Sequence, residues 1–342
     1  MYKLKNVTAI LLGVFGLLVI FPSCHPNNTT TQLGDWQTRS EFNGVARSEA
    51  VSFTIGDSAF LATGYDGTNR LGDLWKYDPA LNSWTQKADL PGTPRSAAVA
   101  FALNNKGYIG TGYDGANSLN DFWQFDPATN SWAKKANFAG TPRYDAVGFA
   151  VMGKGYISTG YDGNYTKDFW QYNDATDSWV AMTSFPGFKR SGAVAFVHDN
   201  KAYICTGNNN GATTTVNDLM VYDPTQPDGA YWTAKRQITN VSTDSYDDTY
   251  LDITRTNAAA FVIGDTAYIA TGNSGSAITT CWAYIFAQDL WVKKTNFENS
   301  AREGAIGFTV SGRGYIATGR SGNSPFDDIM EFLPNAAYVA NN

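Results

Sequence analysis

The chain has 342 residues, a formal net charge of −6, 14% aromatic residues and only 16% charged residues. A chain of this length and composition folds around a large core and is not disordered. Its negative charge gives no electrostatic support for binding nucleic acid, so we expect no nucleic-acid partner.

Residues 1–23 have the pattern of an export signal. Two lysines precede the apolar run 9–21. That run is too short to span a bilayer, which takes about 20 residues. The segment Phe21-Pro22-Ser23-Cys24 resembles a bacterial lipobox, although its first two residues depart from the usual ones. The resemblance implies that Cys24 is lipidated, and loss of both lysines takes the charge from −6 to −8. An ordinary signal peptide with a chance cysteine is the alternative.

Composition divides the chain after the signal into three segments. Residues 24–34 are typical of a polar tether, the fold is predicted for 35–335, and 336–342 form a tail. The lipobox resemblance implies a bacterial outer-membrane lipoprotein that faces the periplasm or the cell surface, with the membrane as its partner through the lipid. Export permits disulfides. We expect none, because Cys205 stands at a repeat position filled elsewhere by small residues.

A long sequence unit recurs along the rest of the chain. The pentapeptide TGYDG occurs three times at one fixed interval, starting at Thr63, Thr111 and Thr159. Around it, an arginine is followed at constant spacing by an aromatic residue and then by a glycine, six times in all. These arginines are Arg47, Arg95, Arg143, Arg190, Arg255 and Arg302. Self-similarity at a fixed period indicates stacked supersecondary units.

Each unit predicts four short strands. In the second unit, the strand at 97–102 is small and apolar on both faces, and Asn104-Asn105 forms a hairpin turn. The next strand carries the aromatic residue and ends at the glycine. A third strand at 121–125 precedes a turn opened by Asp126-Pro127. The fourth strand begins at Trp132 and carries lysines, which oppose edge-to-edge pairing.

Four antiparallel strands repeated six times predict an all-β, six-bladed β-propeller. The arginine, the glycine that ends strand two, the aromatic residue in strand three and the tryptophan in strand four resemble the kelch family over about residues 35–334. Kelch repeats usually carry a double glycine. Here the second position holds Tyr65, Tyr113, Tyr161, Asn208, Asn273 or Arg320, which places side chains where the family has none. The last unit lacks a fourth strand, and Trp36 is predicted to supply it and close the ring.

The loops from strand four to one and from strand two to three share one face, around the axial channel. Residues that recur in every blade build the blade, so we expect the six arginines to bond loop carbonyls or loop aspartates as scaffold. The alternative comes from the resemblance, since arginines line the pocket in kelch proteins that bind acidic peptides. That alternative favours an acidic sugar or an acidic peptide as ligand. The ligand-binding set it predicts is Arg47, Glu49, Arg95, Arg143, Tyr144, Asp145, Arg190, Arg255, Asn257, Arg302 and Glu303.

Metal binding has little support in the sequence. An insertion before Arg255 carries Asp244, Asp247 and Asp248, which either bind Ca²⁺ or belong to a solvated loop. It lacks EF-hand spacing, which favours the solvated loop. Galactose oxidases use this fold, but their copper site needs two histidines, and here only His198 lies in the propeller, at the far end of strand one. We therefore expect no copper and no other cofactor.

Two functions remain open. The sequence favours a monomeric, non-catalytic module that binds a ligand or a protein at the channel mouth. The alternative is a periplasmic carbohydrate-modifying enzyme of the mutarotase or epimerase type, because sialic acid mutarotases are similar in blade number and export. A carboxylate–arginine pair, with Glu49, Asp145 or Glu303 as acid and base, would then act on an anomeric hydroxyl. No residue matches a catalytic motif, so none is assigned as catalytic.

Overall fold

The computed structural model describes residues 33–209, 216–227, 229–238 and 251–340. Cys24, the signal segment and residues 239–250 of the acidic insertion lie outside them. The described strands all belong to one compact unit, Gln32–Asn342. They form six four-stranded antiparallel sheets and one two-stranded sheet, which confirms the predicted six-bladed propeller. No helix in the described part of the chain is long and apolar enough to cross a membrane.

The strands follow one another in chain order. The first strand is β1 (Leu33–Thr38). Blade 1 contains β2 (Val51–Ile55), β3 (Ser58–Ala62), β4 (Leu74–Asp78) and β5 (Ser83–Lys87). Blade 2 contains β6 (Val99–Leu103), β7 (Lys106–Gly110), β8 (Phe122–Asp126) and β9 (Ser131–Lys135). Blade 3 contains β10 (Val147–Val151), β11 (Lys154–Ser158), β12 (Phe169–Asn173) and β13 (Ser178–Met182).

The second half of the ring repeats this arrangement. Blade 4 contains β14 (Val194–His198), β15 (Lys201–Cys205), β16 (Leu219–Tyr222) and β17 (Trp232–Ala234). A 3₁₀ turn, Leu251–Ile253, precedes blade 5, which contains β18 (Ala259–Ile263), β19 (Thr266–Ala270), β20 (Cys281–Ile285) and β21 (Leu290–Lys294). Blade 6 contains β22 (Ile306–Val310), β23 (Arg313–Ala317) and β26 (Ile329–Ala337), with a small hairpin of β24 (Arg320–Ser321) and β25 (Ser324–Pro325).

Blade 2 shows how the repeat produces a blade. Asn104 and Asn105 both adopt positive φ, 51° and 58°, as the two-residue hairpin turn between β6 and β7 requires. Phe101 stacks on Tyr108 across the hairpin, with ring centroids 5.5 Å apart. The Phe101 ring also covers Gly155 of blade 3, where a Cβ atom would lie 2.4 Å from the ring. The aromatic ring of one blade therefore packs against a glycine of the next blade, and this contact sets the distance between the two blades.

The ring closes with strands from both ends of the fold. Blade 6 has the strand order β1-β26-β23-β22, and Trp36 pairs with Phe332. Trp36 is fully buried, and its indole N–H donates to the Thr295 carbonyl at 3.2 Å. The prediction that Trp36 completes the last blade is confirmed. Leu33 pairs with Ala337, so the paired strands extend slightly beyond the predicted limits of 35 and 335.

The predicted sharing of one face by two sets of loops is visible in the backbone pairing. In each blade the residue after the arginine pairs with the residue after the glycine, as Ser48 does with Tyr65 and Tyr144 does with Tyr161. Two variable positions of the repeat therefore lie side by side around the axis. Elsewhere in the core, Cys205 and Cys281 are buried free thiols.

Candidate functional site at the channel mouth

The six repeated arginines are buried, with exposed fractions between 0 and 2%. In every blade Nη1 donates to the carbonyl of the threonine that precedes the repeated glycine, at 2.7–3.0 Å. In five blades the guanidinium also pairs with an aspartate at the start of strand three. These pairs are Arg47–Asp73, Arg95–Asp121, Arg143–Asp168, Arg190–Asp218 and Arg302–Asp328.

Each pair links an arginine to the third strand of its own blade. In blade 2, Arg95 Nη1 and Nη2 donate to the two carboxylate oxygens of Asp121 at 2.6 and 2.7 Å, and the Trp123 indole donates to the same carboxylate. Burial alone would raise the pKa of the Asp121 carboxyl, but the bonds from Arg95 outweigh it and hold that pKa below its ordinary value. This geometry supports the scaffold role that the sequence favoured. It gives no support to ligand binding by the six arginines, which stays a prediction.

Blade 5 departs from this pattern. Thr280 stands where the other blades have the aspartate, and Arg255 donates to its carbonyl and its hydroxyl, both at 2.8 Å. Without a carboxylate partner there, burial lowers the pKa of the Arg255 guanidinium to about 10. The blade therefore keeps the buried cation and its hydrogen bonds but lacks the compensating charge at that position.

The sequence suggested the aspartates of the TGYDG loops as partners of the repeated arginines, but these aspartates accept hydrogen bonds from their own loops. Asp66 accepts the backbone N–H groups of Thr68 and Asn69, at 2.7 and 2.6 Å. Asp114 does the same for Ala116 and Asn117 in blade 2. These carboxylates shape their own loops, and five of the six arginines are instead paired with the aspartate at the start of strand three.

The residues two positions after each arginine form a ring around the axis. Each backbone N–H donates to the carbonyl of the equivalent residue in the preceding blade, at 2.8–3.0 Å, and the sixth bond closes the circle. We call this the axial ring; its members are Glu49, Ala97, Asp145, Gly192, Asn257 and Gly304. All six have φ between 51° and 63°. They line a cavity of about 140 Å³ at the channel mouth.

Glu49 and Asp145 contribute carboxyl groups to this cavity, and Arg320 links Glu49 to the carboxylate of Glu303. Arg320 Nη2 lies 3.2 Å from Glu49 Oε1, and Arg320 Nε lies 3.3 Å from Glu303 Oε1. The Asn273 amide donates to the other Glu303 oxygen at 2.7 Å. Asp145 is only partly exposed, and burial, strengthened by the negative charge of Glu49, raises the pKa of its carboxyl to about 7. The mouth thus holds a carboxyl group that changes charge near neutral pH.

A row of aromatic rings lies next to the axial ring in the chain, because Tyr144 directly precedes Asp145. Ring centroids lie 5.3 Å apart for Tyr113 and Tyr144, 5.5 Å for Tyr144 and Tyr161, and 5.3 Å for Tyr161 and Tyr165. We call these four residues the tyrosine row. Its end is extended by Arg70, whose guanidinium lies 4.1 Å from the Tyr65 ring and 5.3 Å from the Tyr113 ring. All of these side chains are partly exposed.

The structure brings part of the predicted ligand-binding set together and adds to it. Glu49, Tyr144, Asp145, Asn257 and Glu303 all lie at the mouth, the first, third and fourth in the axial ring. Their role in binding stays a prediction. Arg320 and the tyrosines at the second glycine position were not included in that set. The signal for them was present, because a bulky residue replaces glycine at a position where the kelch family has no side chain.

The metal predictions are only partly addressed. In the described part of the chain, no group of three or more His, Cys, Asp or Glu residues is arranged to hold a metal ion. His198 ends β14 beside the far-face hairpin, as predicted, and stacks on Phe286 with centroids 4.0 Å apart. The acidic segment with Asp244, Asp247 and Asp248 lies outside the described residues, so its calcium hypothesis stays a prediction.

Comparison with known proteins agrees with this architecture. The family described as Kelch motif matches residues 46–91 and 94–138. A search among curated protein sequences found no match. A solved structure titled "Structure of YjhT" is similar, with a TM-score of 0.71 and 17% sequence identity over 85% of this chain and 95% of that chain. At that identity the likeness shows the fold alone.

Proposed function

Since this chain is a kelch-repeat β-propeller, we propose that it is a non-catalytic binding module that takes a small, uncharged, polyhydroxylated ligand at the axial mouth. One observation carries the proposal. The tyrosine row contains Tyr144, which directly precedes Asp145 of the axial ring, and Glu49 of that ring is ion-paired with Arg320, which also contacts Glu303. Apolar walls with a few convergent polar groups are the usual composition of a small-molecule site.

The composition of the mouth points to a sugar. A pyranose ring presents C–H groups on its faces and hydroxyl groups at its edges. The faces can pack on Tyr113, Tyr144 or Tyr161, while the hydroxyl groups donate to carboxylates and accept from Arg320. Backbone atoms of the axial ring are already bonded to one another, so specificity comes from side chains.

The charge of the mouth argues against an acidic ligand. The preference for acidic sugars or acidic peptides depended on free guanidinium groups from the repeated arginines, and these are buried and bonded within their own blades. The remaining Arg320 is shared between Glu49 and Glu303. An added carboxylate would meet at least as much negative as positive charge, so neutral sugars are favoured over uronic acids.

A titration series tests this function. Glucose, galactose, glucuronate and glucosamine are titrated into the wild type and into Tyr161→Ala and Glu49→Gln, with binding followed by ligand-observed NMR. We expect neutral sugars to bind more tightly than glucuronate, and each variant to weaken binding about tenfold or more. Tyr338→Ala, which removes an exposed tyrosine far along the chain, is the control. Equal binding by all proteins would place any site elsewhere.

Sugar modification is the second function that an observation favours. An acid–base catalyst works best when its pKa is near the working pH, and Asp145 has a pKa of about 7 beside Glu49. The experiment is NMR exchange between the anomers of the sugars above. Exchange that is accelerated by the wild type and lost in Asp145→Asn would make this protein an enzyme. Exchange at the uncatalysed rate leaves the binding function.

We also propose that a lipid on Cys24 holds the propeller at the bacterial outer membrane. The support is the lipobox-like FPSC at the end of the apolar run 9–21. In the native host, Cys24→Ala should move the protein from the membrane fraction to the soluble fraction. Unchanged fractionation would contradict the anchor and leave an ordinary signal peptide.

A further inference from the structure

A large pocket lies away from the axis, between blades 3 and 4. It has a volume of about 590 Å³, within the range of about 300–1,000 Å³ found for small-molecule sites. Its walls come from the loop that joins the two blades, residues 186–189, and from two strands of blade 4. The side chains of Phe188, which is exposed, and Met220, which is half-buried, make this wall apolar.

The rim of this pocket is basic. Lys167, Lys189 and Lys235 line it, and none of the three has an ion pair within the described residues. Among the described lining residues Asp218 is the only acidic one, and its carboxylate is already used by the Arg190 guanidinium and by the Phe188 N–H at 3.1 Å. We call this site the lysine-rimmed pocket. Three such cations around one cavity create a local positive field in a chain whose net charge is −6.

The residues that make the pocket apolar and basic depart from the repeat. The loop before Arg190 reads Gly-Phe-Lys, whereas the loops before Arg95 and Arg143 both read Gly-Thr-Pro. Lys167 stands before the paired aspartate, where blade 2 has Asn120. Phe188 keeps 51% of its surface exposed at this place. The blade fold does not need these side chains, because its sister blades fold without them.

We propose that the lysine-rimmed pocket is a second binding site, for a small organic anion that carries a carboxylate or sulfonate on an aromatic or aliphatic body. The apolar body packs on Phe188 and Met220. The anionic group lies among the ammonium groups of Lys167, Lys189 and Lys235, where each lysine donates to its oxygens. This site is independent of the axial mouth, which has the opposite charge balance.

Two matched dyes test the chemistry of the pocket. 8-Anilinonaphthalene-1-sulfonate combines an aromatic body with one negative charge, and N-phenyl-1-naphthylamine is the same body without the sulfonate. Fluorescence titration of the wild-type protein should give one site that binds the sulfonate at least fivefold more tightly than the neutral dye. Affinity for the sulfonate should fall as salt is added, since salt screens the lysines. Equal affinity for the two dyes would overturn the proposal.

A variant that restores the repeat locates the site. Lys167→Asn, Phe188→Thr and Lys189→Pro together introduce the residues that stand at the equivalent positions in blade 2 and in the loop that follows it. We expect the affinity for the sulfonate dye to fall at least tenfold, with little change in Tm. Lys87→Asn with Lys154→Asn removes two lysines elsewhere and should bind as the wild type does. If the triple variant fails to fold, Lys167→Asn and Lys189→Gln singly should each cost about threefold. Unchanged binding in these variants contradicts the site.

Discussion

Two neighbouring sets of side chains around the axis have opposite characters. The arginine tier is the six repeated arginines. The mouth tier is the axial ring together with the residue that follows each repeated glycine. Arg47, Ser48 and Glu49 are consecutive, yet Arg47 is fully buried and Glu49 lies in the axial ring at the mouth. The arginine tier is identical in six blades and bonds the same carbonyl in each. The mouth tier changes from blade to blade, from glycine to glutamate and from asparagine to tyrosine.

This comparison separates the residues that the fold explains from those that it does not explain. A residue that makes the same bonds in every blade is explained by the blade itself. Tyr161 and Arg320 occupy equivalent positions but differ completely in chemistry, so the fold does not explain either of them. Variation among repeats of one chain is therefore the better guide to function in this propeller.

The largest expected effect comes from breaking the arginine tier. Arg95→Ala leaves Asp121 partly buried without its cation, and loss of one partner from such a pair costs about 3–5 kcal/mol of unfolding free energy. Arg70→Ala removes the arginine at the end of the tyrosine row, which lies over two tyrosine rings, and should cost about 1 kcal/mol or less. Urea unfolding measures both. Equal losses would mean that the two tiers do not differ in role.

Completing the arginine tier should stabilise blade 5. Thr280→Asp gives Arg255 the carboxylate that the other five blades provide, and we expect a gain of about 1–2 kcal/mol at pH 7. Because the partner cation lowers the folded-state pKa of such an aspartate, the gain should be present above about pH 4 and disappear as the pH falls below it. Thr280→Asn has a similar shape without the charge and serves as the control. A gain in both variants would exclude an electrostatic cause.

At the mouth, stability should depend on the ionisation of Asp145. Its folded-state pKa of about 7 lies above the unfolded value of about 3.9, so the folded protein holds this proton more tightly. The stabilising contribution is complete below about pH 4 and is lost as the pH rises through 7. Asp145→Asn removes this loss, and we expect it to be about 1–2 kcal/mol more stable than the wild type at pH 8.

The charged groups around Asp145 define its control. Glu49 and Glu303 raise its pKa, and Arg320 opposes them. Glu49→Gln should therefore lower the Asp145 pKa, as read from the carboxyl chemical shift by NMR titration. A titration midpoint near 4 in the wild type would show that the cavity is more polar than the geometry indicates.

The smallest expected effect on stability comes from exchanging residues within the mouth tier. Tyr113→Asn gives blade 2 the residue that blades 4 and 5 have at this position. We expect the unfolding free energy to change by about 0.5 kcal/mol or less, while sugar affinity falls. A large loss of stability would mean that the tyrosine row supports the fold, and it would remove the contrast with the arginine tier.

Local pattern was enough to predict the blades. The spacing from each arginine to its glycine is constant, Asn104 and Asn105 form the predicted hairpin turn with positive φ, and Trp36 completes the last blade. These features depend on residues close in sequence or on a count of strands. They can therefore be predicted without knowing the orientation of the side chains.

The contacts between distant residues could not be read in this way. Arg95 pairs with Asp121 and not with an aspartate of a TGYDG loop, because the geometry of the blade decides which carboxylate its guanidinium reaches. Glu49 meets Arg320 only because ring closure brings blade 1 beside blade 6. The sequence shows that both residues are unusual for their positions. It does not show that they are neighbours.

The axial ring has a mechanical consequence. Its six hydrogen bonds run head to tail around a closed circle, so each blade is hydrogen-bonded to both of its neighbours. One blade cannot move outward without stretching two of these bonds, and a wider bore requires that all of them lengthen together. The diameter of the opening is therefore set by main-chain atoms. Substitutions at Glu49 or Asp145 can change the charge of the opening while its size stays the same.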